Sequence, residues 1–346
     1  MRRGRWTRCG RIWRRMARRR AHCQARARGR TAGVRIVITA ARRRTRGICM
    51  KRELRYAKHF CLVLAAALLV VACQGREAAE FDRQRAYDHV LAQVAFGPRP
   101  VGSEALVRTA DYIESSLRAV GWTPTRVTGE FRGVEIRNIV AERGGDEGKR
   151  AGTILIGAHY DTRPAADRDP VLSRRGEPIL GANDGASGVA VLLELARVYD
   201  PARSHYNVVL AFFDGEDKGG IGGWPFSVGA EIVAQRLGAG LSKMILVDMV
   251  GDNDLGIYYE GNSDLELAAD IWAVARKLGW GSHFVPEVRY TLIDDHIPFM
   301  RRGVPSVDII DFDYAYWHST ADTADKVAPQ SLEMVGRVLL GYLYGR

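Results

Sequence analysis

From residue 82 onward the apolar positions switch between a three-to-four spacing and short continuous runs. Residues 82–95 (DRQRAYDHVLAQVA) put Ala86, Val90, Leu91 and Val94 on one face, which predicts a helix. FGPRPVGSE (96–104) reads as a loop from its Gly and Pro content, and Ser103 can cap a second helix bearing Leu106, Ala110, Ile113 and Leu117. Further along, apolar runs at 134–142, 153–159, 207–213, 244–249, 256–260 and 304–310 predict strands. Segments 188–199, 263–278 and 331–344 predict helices, and an extended run at 126–131 suggests a hairpin at one edge. Continuous β-rich runs separated by helices predict an α/β fold, a doubly wound, mostly parallel sheet with helices on both faces.

The same pattern says where the polar chemistry collects. The run at 153–159 ends in His159-Tyr160-Asp161, and that at 207–213 breaks into Asp214, Glu216 and Asp217. Asp248 lies near the end of 244–249, the run at 304–310 leads toward Asp311, Asp313 and His318, and GANDGASG (181–188) sets Asp184 just before a helix. In open α/β sheets ligands sit beyond the carboxyl ends of the strands. Taken singly, each residue has a plainer reading. His159 could be a core imidazole, Asp184 a helix cap, Asp217 a solvated loop acid and His318 a packing residue, whereas an unpaired Asp248 in an apolar strand would be costly. The plain readings do not predict convergence on one sheet edge. Carboxylates gathered in a partly dry crevice repel one another, and either protonation or a cation relieves them. A mixed imidazole–carboxylate set suits Zn²⁺ better than Ca²⁺ or Mg²⁺, which prefer oxygen alone.

Charge and cysteine use divide the chain. The net charge is +11, but 18 of the 51 Lys and Arg residues fall in residues 1–50, which hold no acid. The rest carries 33 bases against 40 acids, a net of −7. A basic arm for nucleic acid is one reading of the first segment; the reading preferred here assigns no nucleic-acid partner. From Met50 the sequence MKRELRYAKHFCLVLAAALLVVACQG has a basic start, an apolar stretch over 61–71 and small residues before Cys73, the layout of a secretory signal. Met50 is thus expected to be the true start, with the Arg-rich residues 1–49 not translated or disordered. Val70-Val71-Ala72-Cys73 resembles a bacterial lipobox, which implies acylation of Cys73 and a membrane lipid anchor in the cell envelope. Cleavage near Ala72 to give a periplasmic or secreted protein is the alternative. The five cysteines are 9, 23, 49, 61 and 73, so residues 74–346 have neither a disulfide nor a thiol nucleophile. Residues 74–80 read as a tether and 81–346 as one catalytic domain.

Six motifs run in order through the chain: GAHYDTRP, GANDGASGVAVLLELAR, FFDGEDKG, VDMVGD, DDHIPFMRRGVP and YWHSTADTADKV. Over roughly residues 82–345 they resemble the zinc-dependent exopeptidase family that contains bacterial zinc aminopeptidases and the glutaminyl-peptide cyclotransferases. The resemblance implies a three-layer α/β sandwich around a mixed sheet. It implies metal positions at His159, Asp184, Asp217, Asp248 and His318, with Asp184 bridging two zincs in the aminopeptidases. In the cyclotransferases one zinc is implied, at Asp184, Asp217 and His318. Glu216 matches the general acid/base. The sequence departs from the family at Asp217, where Glu is usual, so the shorter side chain changes the reach at that corner.

The family holds two chemistries. In a cyclotransferase the α-amine of an N-terminal glutamine attacks its own γ-amide, Glu216 moves the proton, and Asp248 and Asp295 hold amine and amide. In an aminopeptidase Glu216 activates water instead. Asp294-Asp295, Trp317 before His318, and Trp224 in GGWPF are similar to the cyclotransferase version, with Trp224 and Trp317 as substrate-binding residues. Each tryptophan could equally be core, and Asp295 could cap the helix at His296-Ile297-Pro298. His205, His283 and His296 read as structural. The expectation is a glutaminyl-peptide cyclotransferase acting on peptide or protein N-termini. The alternatives are a di-zinc aminopeptidase and a non-catalytic, lipid-anchored binding protein.

Overall fold

The computed structural model describes residues 79–143 and 151–345. The Arg-rich segment, the signal-like stretch with Cys73 and most of the tether lie outside the described residues. Among those described, no helix is long and apolar enough to cross a membrane.

The chain enters through α1 (Arg83–Val94), whose N-terminus is capped by Asp82 accepting from the amides of Gln84 and Arg85. Ser103 caps α2 (Glu104–Ala119) through the Leu106 amide, as its position before an apolar-periodic run predicts. A hairpin follows, β1 (Thr123–Phe131) antiparallel to β2 (Val134–Glu142). Then come β3 (Thr153–His159), α3 (Ala186–Val198), β4 (Asn207–Phe213), α4 (Val228–Leu237) and β5 (Lys243–Asp248). The chain closes with β6 (Ile257–Glu260), α5 (Leu265–Lys277), β7 (Phe284–Tyr290), the short α6 (Ile297–Met300), β8 (Ser306–Ile310) and α7 (Pro329–Leu343).

Six strands make the main sheet in the order β1-β2-β4-β3-β5-β8. β4, β3, β5 and β8 are mutually parallel, and the hairpin adds an antiparallel edge through β2. The central strands are apolar on both faces because both are covered. Val208, Leu210 and Phe212 of β4 join one core with α1, α2, α3, α5 and α7, whereas Val209, Ala211 and Phe213 join another with α4 and α6. Ile154 and Ile156 against Leu155 in β3, and Ile245 and Val247 against Met244 and Leu246 in β5, repeat the alternation. This is the expected three-layer sandwich around a mixed sheet.

The fold adds elements that the pattern concealed. The strand expected near 256–260 pairs with β7 in a separate two-stranded sheet. β7 escaped notice because most of its residues are exposed and it contains Pro286. α4 was hidden by its shortness and by Gly229. At Gly188, on the inner face of α3, a Cβ would collide with the Val247 carbonyl oxygen. The close packing of this helix on β5 therefore requires glycine.

Candidate metal centre and cleft

Because β3, β4, β5 and β8 are parallel, their carboxyl ends share one edge. His159 ends β3 level with Phe213, the last residue of β4, and Asp248 ends β5 level with Ile310 of β8. The loops leaving these ends bring Asp184, Asp217 and His318 to the same edge. His159 Nε2 lies 3.2 Å from Asp184 Oδ1 and 3.1 Å from Asp248 Oδ1. His318 Nε2 lies 3.1 Å from Asp217 Oδ1 and 3.6 Å from Asp184 Oδ2. Two triads result, His159–Asp184–Asp248 and Asp184–Asp217–His318, each with its donor atoms within 4.8 Å of one another and every member buried. Asp184 belongs to both.

Positioning groups around the triads explain why the loops hold these places. Asp161, fully buried, accepts the backbone amides of Glu216 (3.2 Å) and Asp217 (3.1 Å). Asp322 does the same for Asn183 (2.9 Å) and Asp184 (3.2 Å), and accepts the Tyr314 hydroxyl at 2.7 Å. Arg163 donates to the carbonyls of Asp217 and Gly219 and to both carboxylate oxygens of Asp167. Arg99, fully buried, donates to the carbonyls of Leu180 (2.8 Å) and Gly181 (2.8 Å), fixing the segment before Asp184. A Cβ at Gly185 would lie 2.5 Å from the His159 ring, so glycine lets that imidazole approach the loop. Sequence reasoning placed Asp161 at the strand end without giving it a role, and missed Arg163, Asp322 and Arg99. The signal was there in part: Asp161 and Arg163 stand in GAHYDTRP, Asp322 in YWHSTADTADKV and Arg99 in the loop FGPRP.

The electrostatics follow from crowding acids in a dry edge. Burial, then the Asp294 charge, push Glu216 well above the ordinary carboxyl range. Burial and Asp184 do the same to Asp217, and burial lifts Asp248 to about 7 against the attraction of His159. Burial works against a charged His159, yet Asp248, Asp161 and Asp184 together hold its pKa well above the usual value. His318, by contrast, is pulled down to about 4, chiefly by burial. It is therefore a neutral imidazole at neutral pH, the form that binds a metal.

The residues fit a bound zinc ion. Both carboxylate oxygens of Asp217 are buried without a hydrogen-bond partner, as is His318 Nδ1. Orphaned buried acceptors facing a neutral imidazole are costly unless a cation meets them. The donor set, imidazole with carboxylates, matches zinc. Despite its shorter side chain, Asp217 brings an oxygen into the donor group with Asp184 and His318.

A cleft of about 270 Å³ opens onto the triads. Asp184, Glu216, Asp248 and His318 line it together with Asp294, Trp317, Phe312 and Met249. The Trp317 ring stacks on His318 at 3.9 Å and packs on Phe312 at 4.8 Å, with Arg168 over its face. His318 and Met249 both take left-handed backbone angles, uncommon outside glycine and concentrated where function demands them. Asp295 does not line the cleft, where its neighbour Asp294 stands and accepts the Asp295 amide, but it is buried beside it with both carboxylate oxygens unpartnered, and its charge acts on Glu216 while His159 and Asp248 act on it. One expected residue sits elsewhere. Trp224 packs edge-on against Phe131 in a small core with Ile136 and Val228, with Lys218 over its ring, because the chain around it turns toward the β1–β2 hairpin. It is not part of the cleft wall either. His283 is structural as expected, its Nδ1 held to the Leu255 carbonyl at 2.9 Å.

Comparison with known proteins points the same way. A family model described as peptidase family M28 matches residues 138–343. A glutaminyl-peptide cyclotransferase of Boiga dendrophila is 24% identical over 229 residues, covering 54% of this chain and 60% of its own length. Two solved structures from Bacteroides thetaiotaomicron are 31% identical with a TM-score of 0.72. One is a leucine aminopeptidase precursor, with 78% of this chain and 99% of that one covered. The other is a glutaminyl cyclase bound to N-acetylhistamine, with 78% and 100% covered.

Proposed function

The chain belongs to peptidase family M28, and from that premise we propose that it is a zinc-dependent glutaminyl-peptide cyclotransferase, converting N-terminal glutamine to pyroglutamate with release of ammonia. The observation that carries the reading is the cleft: three carboxyl groups, Glu216, Asp248 and Asp294, beside an apolar wall of Trp317 and Phe312, in a space of about 270 Å³. Asp184, Asp217 and His318 would hold the zinc. When bound, zinc supplies Lewis-acid polarisation of the substrate's γ-carbonyl.

The chain's own residues do the rest. Asp248 and Asp294 hold the α-amine by charge-assisted hydrogen bonds and aim it at the γ-carbon. Glu216 takes the proton from the attacking nitrogen and returns it to the departing amide nitrogen, which leaves as ammonia. Burial, then the Asp294 charge, raise its pKa, which strengthens it as the base that takes the proton. Trp317 and Phe312 keep competing water from the γ-carbon. Asp295, buried beside the cleft, adds its carboxyl to the same group of acids around Glu216 and Asp248.

One observation favours a second reading. The triad His159–Asp184–Asp248 is as compact as the other and shares Asp184, which suits a di-zinc aminopeptidase with Glu216 activating water. Purified, zinc-loaded protein incubated with Gln-initiated and Leu-initiated peptides separates the two. Ammonia loss from the first supports the cyclotransferase. Free amino acid released from either, with no ammonia, refutes it in favour of the peptidase. Metal content reads independently, one zinc per chain for the cyclotransferase and two for the peptidase. We further propose export and lipid anchoring at Cys73, supported by the sequence of residues 50–73 alone.

A further inference from the structure

The acid-lined cleft holds about 270 Å³, below the roughly 300–1,000 Å³ typical of sites for drug-sized ligands. A peptide placed with its first residue there must lay the following residues on adjoining surface, since an extended chain advances about 3.3–3.6 Å per residue. A second hollow of about 580 Å³ adjoins the cleft, and Phe226 and Ile293 line both. Its floor and walls include Phe131 at the end of β1, Ile232 of α4 and Ile297 of α6, with Gln235 and Arg301 at exposed positions. Ile293, at the junction, is 65% exposed, an apolar side chain left in water where the two spaces meet. Two acids line the groove: Glu231 is already paired with Arg302 at 2.6 Å, and Glu130 lies at an exposed position near the end of β1, on the groove's rim.

We propose that this groove is the subsite for the second to fourth residues of the peptide substrate and selects bulky apolar side chains there. The inference rests on reading the cleft as a site for peptide N-termini, whichever reaction follows. Continuity carries it: the larger space is reached across the shared Phe226–Ile293 wall, and a tail crossing that wall covers Ile293.

The test compares two zinc-loaded proteins, wild type and Gln235→Trp, which plugs the groove from an exposed helix position. Arg301→Trp, on α6's side, is the second plug should the first fail to fold. The probes are Gln-Leu-Phe-Leu-Gly and Gln-Ser-Gly-Ser-Gly, with Leu-initiated counterparts, and both kcat/KM and Kd by calorimetry are measured. For the wild type, each seated apolar side chain should improve Kd about tenfold, so the apolar tail is favoured at least tenfold overall. In the plugged variant that ratio should fall to within about threefold of unity. Equal Kd values for both tails in the wild type, or an undiminished ratio in both plugged variants, would overturn the proposal. Hydrolysis of the Leu peptides without ammonia from the Gln peptides would sink the cyclotransferase reading alone, because the tail ratio is read on either substrate series and by binding.

Discussion

Replacing Asp161 tests how the Glu216–Asp217 turn is held in place. The carboxylate accepts two backbone amides, at 3.2 and 3.1 Å, in a fully buried position. Hydrogen bonds to a charged partner contribute about 1.5–3 kcal/mol each, and long ones fall at the lower end, so the pair is worth roughly 3 kcal/mol. Against this stands repulsion: the Asp161 charge helps push the carboxyls of Asp214, Asp217 and Asp295 upward, and removing it relieves them. The hydrogen bonds win because they are direct contacts, whereas the repulsion acts at longer range and is partly answered by His159 and Arg163. Asp161→Ala should therefore cost about 2 kcal/mol of a total near 5–15, and Asp161→Asn, which keeps one acceptor and the volume, about half as much. Turnover should fall further than stability implies, since a misplacement of about 1 Å can cost 10²-fold in rate. Urea unfolding of the zinc-loaded protein, with kcat/KM on a Gln-initiated peptide, reads both. Stability within about 0.5 kcal/mol of the parent and undiminished kcat/KM in the alanine variant would refute the positioning role.

Other substitutions follow from the same geometry. Glu216→Gln should keep its zinc, measured by metal analysis, and lose on the order of 10²–10⁴ in kcat, the contribution of general acid–base catalysis; substantial residual turnover would contradict the role given to it. Gly188→Ala forces a methyl group against the Val247 carbonyl and should destabilise by about 1–3 kcal/mol by overpacking, visible as a lower melting temperature. Glu260 is buried, 3.1 Å from His296, and burial is outweighed by that contact and by the amides of Leu292 and Asn262, so its pKa falls from 4.5 to about 2. A depressed acid stabilises the folded state above its unfolded value and ceases to do so as pH falls through the folded one. Stability should thus decline between pH 4.5 and 2, and Glu260→Gln should flatten that slope in acid unfolding curves.

The sheet was legible in the sequence because its central strands are apolar on both faces. Such runs as ILIGA and VVLAFF fit no solvent-facing element, and the acids that interrupt them mark the strand ends. The hairpin was legible for a different reason: β2 is an apolar run, and the mostly exposed β1 is an extended stretch directly before it. α4 and β7 were not, since a ten-residue helix with a glycine and an exposed strand with a proline send weak signals. Within the site, the triads could be anticipated from residue type and strand-end position. The choice between Asp294 and Asp295 could not, because a turn decides which of two neighbours faces the cleft. Trp224 misled because tryptophan serves packing and binding alike, and only the path of the loop chooses. Arg99 was invisible because its role is set by carbonyls some eighty positions away.

That long-range grip by Arg99 has a practical outcome. The recognisable family segment begins at residue 138, and every donor of both triads lies downstream of it. A fragment trimmed to that segment would carry all the chemistry and yet lack the guanidinium that secures the backbone ahead of Asp184, together with the helix whose Asp82 amide is held by Glu194. The smallest autonomous catalyst therefore starts before α1, upstream of where the family model's match begins.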